Sequence, residues 1–135
     1  MDITVKNLQS KILIPSSRIQ SIALKACGYL RLPKSKFEIS ITFVGQQRMR
    51  KINKTYLNHD FVTDVITFDL IETAEIVICP FEAQKNAKIY GVSNEGELIL
   101  YVVHGLLHLA GYDDHAPEDI KRMRSKEKEI LERFA

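Results

Sequence analysis

Cysteine is scarce in this chain of 135 residues: there are two, Cys27 and Cys79, each flanked by apolar neighbours. That excludes a disulfide-stapled scaffold and fits buried, reduced thiols in a cytoplasmic protein. Long hydrophobic runs are also missing. The longest, Leu98 to Leu109, is too short to span a bilayer and contains two histidines, so no membrane association is expected. The N-terminal MDITVKNLQS lacks the basic-then-apolar pattern of a secretory signal. Strong charge of either sign is absent as well. Lys+Arg number 19 against 17 Asp+Glu, and the resulting +2 does not by itself announce a nucleic-acid binder. No repeat, low-complexity tract or Gly/Ser linker interrupts the chain. Residues 1–135 are therefore expected to form one domain, large enough to build a core without staples.

The patterning predicts an α+β fold. Ile3 and Val5 alternate with polar residues as a short strand, and Pro15-Ser16-Ser17 starts a helix with the stripe Ile19, Ile22, Leu24, Ala26, Cys27 and Leu30. Leu32-Pro33 ends that helix. Phe37, Ile39, Ile41 and Phe43 alternate strictly, the clearest strand, closed by Gly45. Met49, Ile52, Asn53, Tyr56 and Leu57 suit a second helix. DVITFDL (64–70) and AEIVIC (74–79) read as two more strands, joined too tightly for a helical crossover and so antiparallel. A helix from Pro80 to about Tyr90 stops at Gly91. The next is capped by Ser93 or Asn94, carries Glu95 and Glu97 in its first turn and runs to Gly111. A last helix begins near Pro117, with the stripe Ile120, Met123, Ile130, Leu131 and Phe134. The expected architecture is a small mixed sheet of about four strands, packed with helices around a central histidine-bearing helix of zincin-like kind.

Within residues 104–115, HGLLHLAGYDDH, stand three of the four histidines. His104 and His108 are four apart, so on a helix they share one face, one turn apart, where two imidazoles converge on one ion. Gly111 turns the chain back, and His115 follows within reach. A lone histidine on an apolar helix face is more often a satisfied core residue than a ligand. Two at this spacing, with a glycine stop and a third behind them, reverse that balance, because burying neighbouring unpartnered imidazoles is costly. Three protein ligands with an open position is the pattern of a catalytic zinc site; nickel, copper or another divalent metal also suits imidazole. In H-E-x-x-H helices the residue after the first histidine is the general base for peptide hydrolysis, and here it is Gly105. A peptidase reading thus loses its base. A metal would still lower the pKa of a bound water to about 7 and polarise a phosphoryl oxygen.

These residues resemble a known family. HGLLHLAGYDDH is similar to the HGxLHLxGYDH signature of the bacterial YbeY family, the metal-dependent endoribonucleases of ribosomal RNA maturation. INKTYLNHDFVTDVITF (52–68), AEIVIC (74–79) and SNEGEL (93–98) resemble its other segments in the same order, so the likeness runs from Ile39 to Met123. The resemblance implies one zinc ion held by three side chains. It further implies single-strand-selective cleavage of RNA, in 3′-end maturation of the small-subunit ribosomal RNA and in ribosome quality control, with the ribosome or its small subunit as partner. Where the family's second segment carries an arginine, this chain has Leu57; the nearest basic residues are Lys54 and His59. The signature's third histidine falls at Asp114, with His115 one residue further. The expected ligands are His104, His108 and His115, with Asp114 as the alternative third.

Other candidates are weaker. Arg48, Arg50, Lys51 and Lys54 form a basic group without an acidic neighbour in sequence, a candidate RNA track or a solvated helix face. Glu95 is the one candidate general base, or merely a helix-start residue. Asp113 orients a ligand imidazole or caps the last helix, and Thr63 and Asp64 line the cleft or only stabilise a turn. Beside the endoribonuclease reading stand a non-catalytic ribosome-assembly or RNA-binding factor with a structural metal and, further off, a zinc peptidase.

Overall fold

The computed structural model describes residues 1–32, 36 and 38–135. Pro33 and Phe37, expected at the end of the first helix and in the second strand, lie outside them. The described elements are β1 (Asp2–Asn7), α1 (Ser16–Leu30), β2 (Glu38–Phe43), α2 (Gln46–Leu57), β3 (Val65–Asp69), β4 (Thr73–Ile78), α3 (Pro80–Tyr90), α4 (Asn94–Leu109) and α5 (Pro117–Phe134). The fold is α+β, and the four strands form one mixed sheet in the order β1-β2-β4-β3. β1, β2 and β4 run parallel, while β3 pairs antiparallel with β4, as their short connection requires.

The central strands are covered on both faces: β2 alternates apolar Ile39, Ile41 and Phe43 with Ser40 and Thr42, which are buried as well. Ile39, Ile41, Phe43, Ala74, Ile76 and Ile78 enter the main core with α1, α4 and α5. Val77 belongs to a smaller cluster with Val44, Met49, Ile66 and Cys79, against which Ile52 of α2 packs. Both cysteines are free and buried. Burial pushes the Cys27 thiol up to about 11, so it is inert as a nucleophile at neutral pH.

Two expected stripes need correction. On α1 the buried residues are Ile19, Ile22, Ala23, Ala26 and Cys27, a regular three–four spacing, and Leu24 falls off that face into solvent. On α5, Ile120 is exposed, and the buried set is Met123, Glu127 and Ile130, with a carboxylate inside the apolar stripe.

α4 is the axis of the molecule. Ser93 Oγ accepts from the Gly96 N–H at 2.9 Å and caps its start. Leu98, Ile99, Val102, Val103, Leu106 and Leu107 are all but fully buried, each contributing about 1.5–3 kcal/mol relative to exposure. Gly105 lets the helix lie close on the sheet: a Cβ there would stand 2.8 Å from Ile76 Cγ2 and 2.9 Å from its Cδ1. Ile76 is itself fully buried and has nowhere to go. Gly105→Ala is accordingly expected to destabilise the protein by about 1–3 kcal/mol in urea unfolding, with an unchanged m-value.

Candidate metal centre and cleft

The last turn of α4 builds the site. After Leu109 the chain folds back, with Gly111 at φ +97° and the Tyr112 N–H donating to the Leu107 carbonyl at 2.9 Å. The turn aims the Tyr112 carbonyl at His108, whose Nδ1 lies 3.1 Å away. His104 Nδ1 lies 2.6 Å from Glu127 Oε2 on α5. Both acceptors require a proton on Nδ1, leaving the Nε2 lone pairs free, and the two Nε2 atoms face each other at 3.0 Å. Asp114 Oδ2 completes a triangle, 3.3 Å from His104 Nε2 and 3.5 Å from His108 Nε2. Two donors each about 2.0–2.1 Å from one tetrahedral zinc stand about 3.3–3.4 Å apart. The triangle therefore matches three corners of a tetrahedron, and nitrogen and carboxylate donors suit zinc.

His115, the expected third ligand, is placed differently. It lines the cleft, but its side chain is 87% exposed and lies 3.4 Å from Asp113 Oδ1, outside the group that His104 and His108 form with Asp114. Asp114, named as the alternative, is the residue the turn brings to the histidine pair; one residue of register after Gly111 decides which side chain points inward. Asp113 neither orients a ligand imidazole nor caps α5. Its Oδ1 accepts from the Asp114 N–H at 2.7 Å and stiffens the turn.

Glu127 was invisible to motif reasoning, although a carboxylate within the stripe Met123–Ile130 is a signal in hindsight of packing. It is 4% exposed and is held by both His104 and Arg124, whose Nη1 lies 2.7 Å and 3.0 Å from its two oxygens. Burial works to raise its pKa, but the hydrogen bonds from His104 and Arg124 outweigh that and keep it below the usual glutamate value. An ionised carboxylate behind a ligand imidazole fixes its tautomer and increases its basicity.

The triangle opens into a cleft of about 1050 Å³ between α4, β3, α3 and α5. Glu97, Tyr101, His104 and His108 share one face of α4 at 4–3–4 spacing, and all four line it. Glu97 is buried, and burial raises its carboxyl pKa, with the neighbouring Tyr101 hydroxyl opposing and the charge of Asp64 adding. Asn86 donates to the Tyr101 hydroxyl at 2.6 Å. Asp64 serves both of its anticipated roles: Oδ1 accepts from the Val65 N–H at 2.8 Å, and the side chain lines the cleft. Glu95 is not in the cleft. Two residues before Glu97, it faces α1 and pairs with Arg18 at 2.8 Å.

Of the basic group, Arg48, Arg50, Lys51 and Lys54 are all exposed on α2, outside the cleft. It does have an acidic neighbour: the loop after α2 returns Asp60 to within 2.8 Å of Arg50 Nε. Leu57, at the end of that helix, lines the cleft, and His59 stacks on Phe61 in the loop beyond.

The family model described as Endoribonuclease YbeY matches residues 4–135. The chain belongs to that family. An endoribonuclease YbeY of Listeria welshimeri is 35% identical over 136 residues, covering 86% of this chain and 84% of the relative. One from Caldanaerobacter subterraneus subsp. tengcongensis is 33% identical, covering 99% and 98%. The solution structure of TM1509 from Thermotoga maritima superposes with a TM-score of 0.67 at 27% identity, over 96% of this chain and 87% of that one.

Glu127→Gln keeps the side chain's size and removes its charge. It is expected to lower zinc affinity by about 10–100-fold, read by competition with a chromophoric chelator, with the far-UV circular dichroism spectrum retained.

Proposed function

We propose that the chain is a metal-dependent, single-strand-specific endoribonuclease, a hydrolase of phosphodiester bonds whose single domain spans residues 1–135. Its place is in 3′-end maturation of the small-subunit ribosomal RNA and in ribosome quality control, in the cytoplasm and at the ribosome. No helix among the described residues is long and apolar enough to cross a membrane. The observation that carries the reading is the convergence of His104 Nε2, His108 Nε2 and Asp114 Oδ2 in the wall of an open cleft, in a chain of the Endoribonuclease YbeY family.

The trio is the proposed ligand set for one Zn²⁺, and nickel or another divalent ion fits the same donors. When bound, such an ion supplies Lewis-acid stabilisation of charge on a phosphoryl oxygen. The protein's own residues do the rest. Glu127 and the Tyr112 carbonyl hold both imidazoles in the Nε2-presenting tautomer. Leu100 and Leu109 form apolar wall, which strengthens electrostatics inside the cleft. Glu97, buried in the cleft wall with its carboxyl pKa raised by that burial, is the proposed carrier of an exchangeable proton in place of Glu95. On α2, Arg48, Lys51 and Lys54 are free to follow an RNA backbone, with Lys54 one turn from Leu57 at the cleft. A peptidase is disfavoured, because position 105 faces Ile76 and has no room for a catalytic glutamate.

The test is cleavage of a labelled single-stranded ribosomal RNA fragment by the native protein and by His108→Ala, both checked for folding. The native protein is expected to cut, and the variant or added chelator to reduce cleavage by about 100-fold or more, in line with loss of a main electrostatic element. If both fold and bind the RNA but neither cuts, the chain is an assembly factor and not a nuclease.

A further inference from the structure

The residues lining the cleft are strongly unbalanced in charge. Asp64, Asp69, Glu97, Asp114 and Glu127 contribute carboxylates, while Arg124 is the one lysine or arginine among the described lining residues. A polyanion entering such a space needs cationic contact beyond that of a single ion. Arg124 is built to provide it. Its side chain is 63% exposed, yet one end is anchored: Nη1 donates to both oxygens of Glu127, three residues on along α5. Among the described residues no hydrogen bond engages its Nε or Nη2. Arg124 lines the cleft together with Asp114, from the turn, and Tyr90, from α3. It therefore stands at the rim where α5, the metal-site turn and α3 meet.

We infer that Arg124 is the phosphate-binding residue of the cleft, its free guanidinium edge taking the phosphodiester oxygens of a single-stranded nucleic acid beside the histidine pair. This deepens the endoribonuclease reading and rests on its phosphodiester chemistry. A planar fork matches two phosphate oxygens in a way a point charge does not. Anchoring by Glu127 removes much of the entropy otherwise lost when a long side chain is ordered on its ligand. Because the same carboxylate holds His104, the arrangement ties the position of the phosphate to that of a metal ligand. The competing role for Arg124 is purely structural: to neutralise buried Glu127 and touch no substrate.

The experiment uses the zinc-loaded full chain and its Arg124→Gln and Arg124→Lys variants, with zinc content measured in each. Two probes are applied: inorganic phosphate by titration calorimetry, and a labelled single-stranded oligoribonucleotide whose kcat/KM is followed against salt. Arg124→Gln is expected to keep its zinc but bind phosphate about 10- to 100-fold more weakly, the scale for loss of a charged hydrogen-bond partner. Its kcat/KM should fall similarly, and the salt dependence should become shallower by about 0.7 in log–log slope, one phosphate contact on a single strand. Arg124→Lys should recover only part of the loss. The inference is overturned if Arg124→Gln binds phosphate like the parent, if the parent binds none, or if phosphate affinity falls only in proportion to lost zinc. Arg124-dependent phosphate binding without RNA cleavage by the parent would leave the inference standing and remove the endoribonuclease reading. Cleavage undisturbed by Arg124→Gln would do the reverse.

Discussion

The hydrogen bond between Glu127 and His104 is the contact on which the cleft depends. A carboxylate with 4% exposure would lose several kcal/mol of hydration if it stood alone. Here it is met on one side by an imidazole N–H and on the other by a guanidinium, so the charge is retained and put to use. It carries α5 into the account, since Met123 and Ile130, on either side of Glu127 in the same stripe, are fully buried in the core. The packing that closes the hydrophobic core is thus the packing that orients the His104 imidazole. On the other histidine the same task falls to a backbone carbonyl, which the turn at Gly111 positions without any side chain.

A second constraint divides the faces of α4. One face must lie against β4, close enough that position 105 admits no Cβ. The cleft is therefore lined from the other face, by Glu97, Tyr101, His104 and His108. The absence of a glutamate after the first histidine is a consequence of this geometry. A zincin helix presents that residue to its metal, whereas this helix presents it to the sheet.

The fold was largely readable because its elements follow simple periods: strict alternation in β2, the 3.6-residue stripe of α4, and the short link that makes β3 and β4 antiparallel. Leu24 and Ile120 were misplaced because large apolar residues next to a helical stripe look like members of it until the neighbouring helix is known. The convergence of His104 and His108 on one face of α4 was evident from local spacing alone. Which of Asp114 and His115 stands nearer the pair was not, because it rests on how far the chain winds after Gly111. Glu127 and Arg124 lie about 20 residues from the histidines and reach them only through the docking of α5. Glu95 and Glu97 look equivalent in sequence as first-turn acids. The helical phase separates them, placing one against Arg18 and the other in the cleft. The Arg50–Asp60 pair was hidden for the same reason, a loop return that composition does not record.

Two imidazoles and the Asp114 carboxylate, held in place by the rest of the fold, converge as one candidate metal-binding triangle. The most direct measurement is zinc K-edge X-ray absorption on the zinc-loaded protein, on Asp114→Ala and on His115→Ala. The account predicts two imidazole nitrogens and a carboxylate oxygen in the native protein, an unchanged spectrum in His115→Ala, and loss of the oxygen ligand in Asp114→Ala. Three imidazole nitrogens in the native spectrum, one of them lost in His115→Ala, would contradict it.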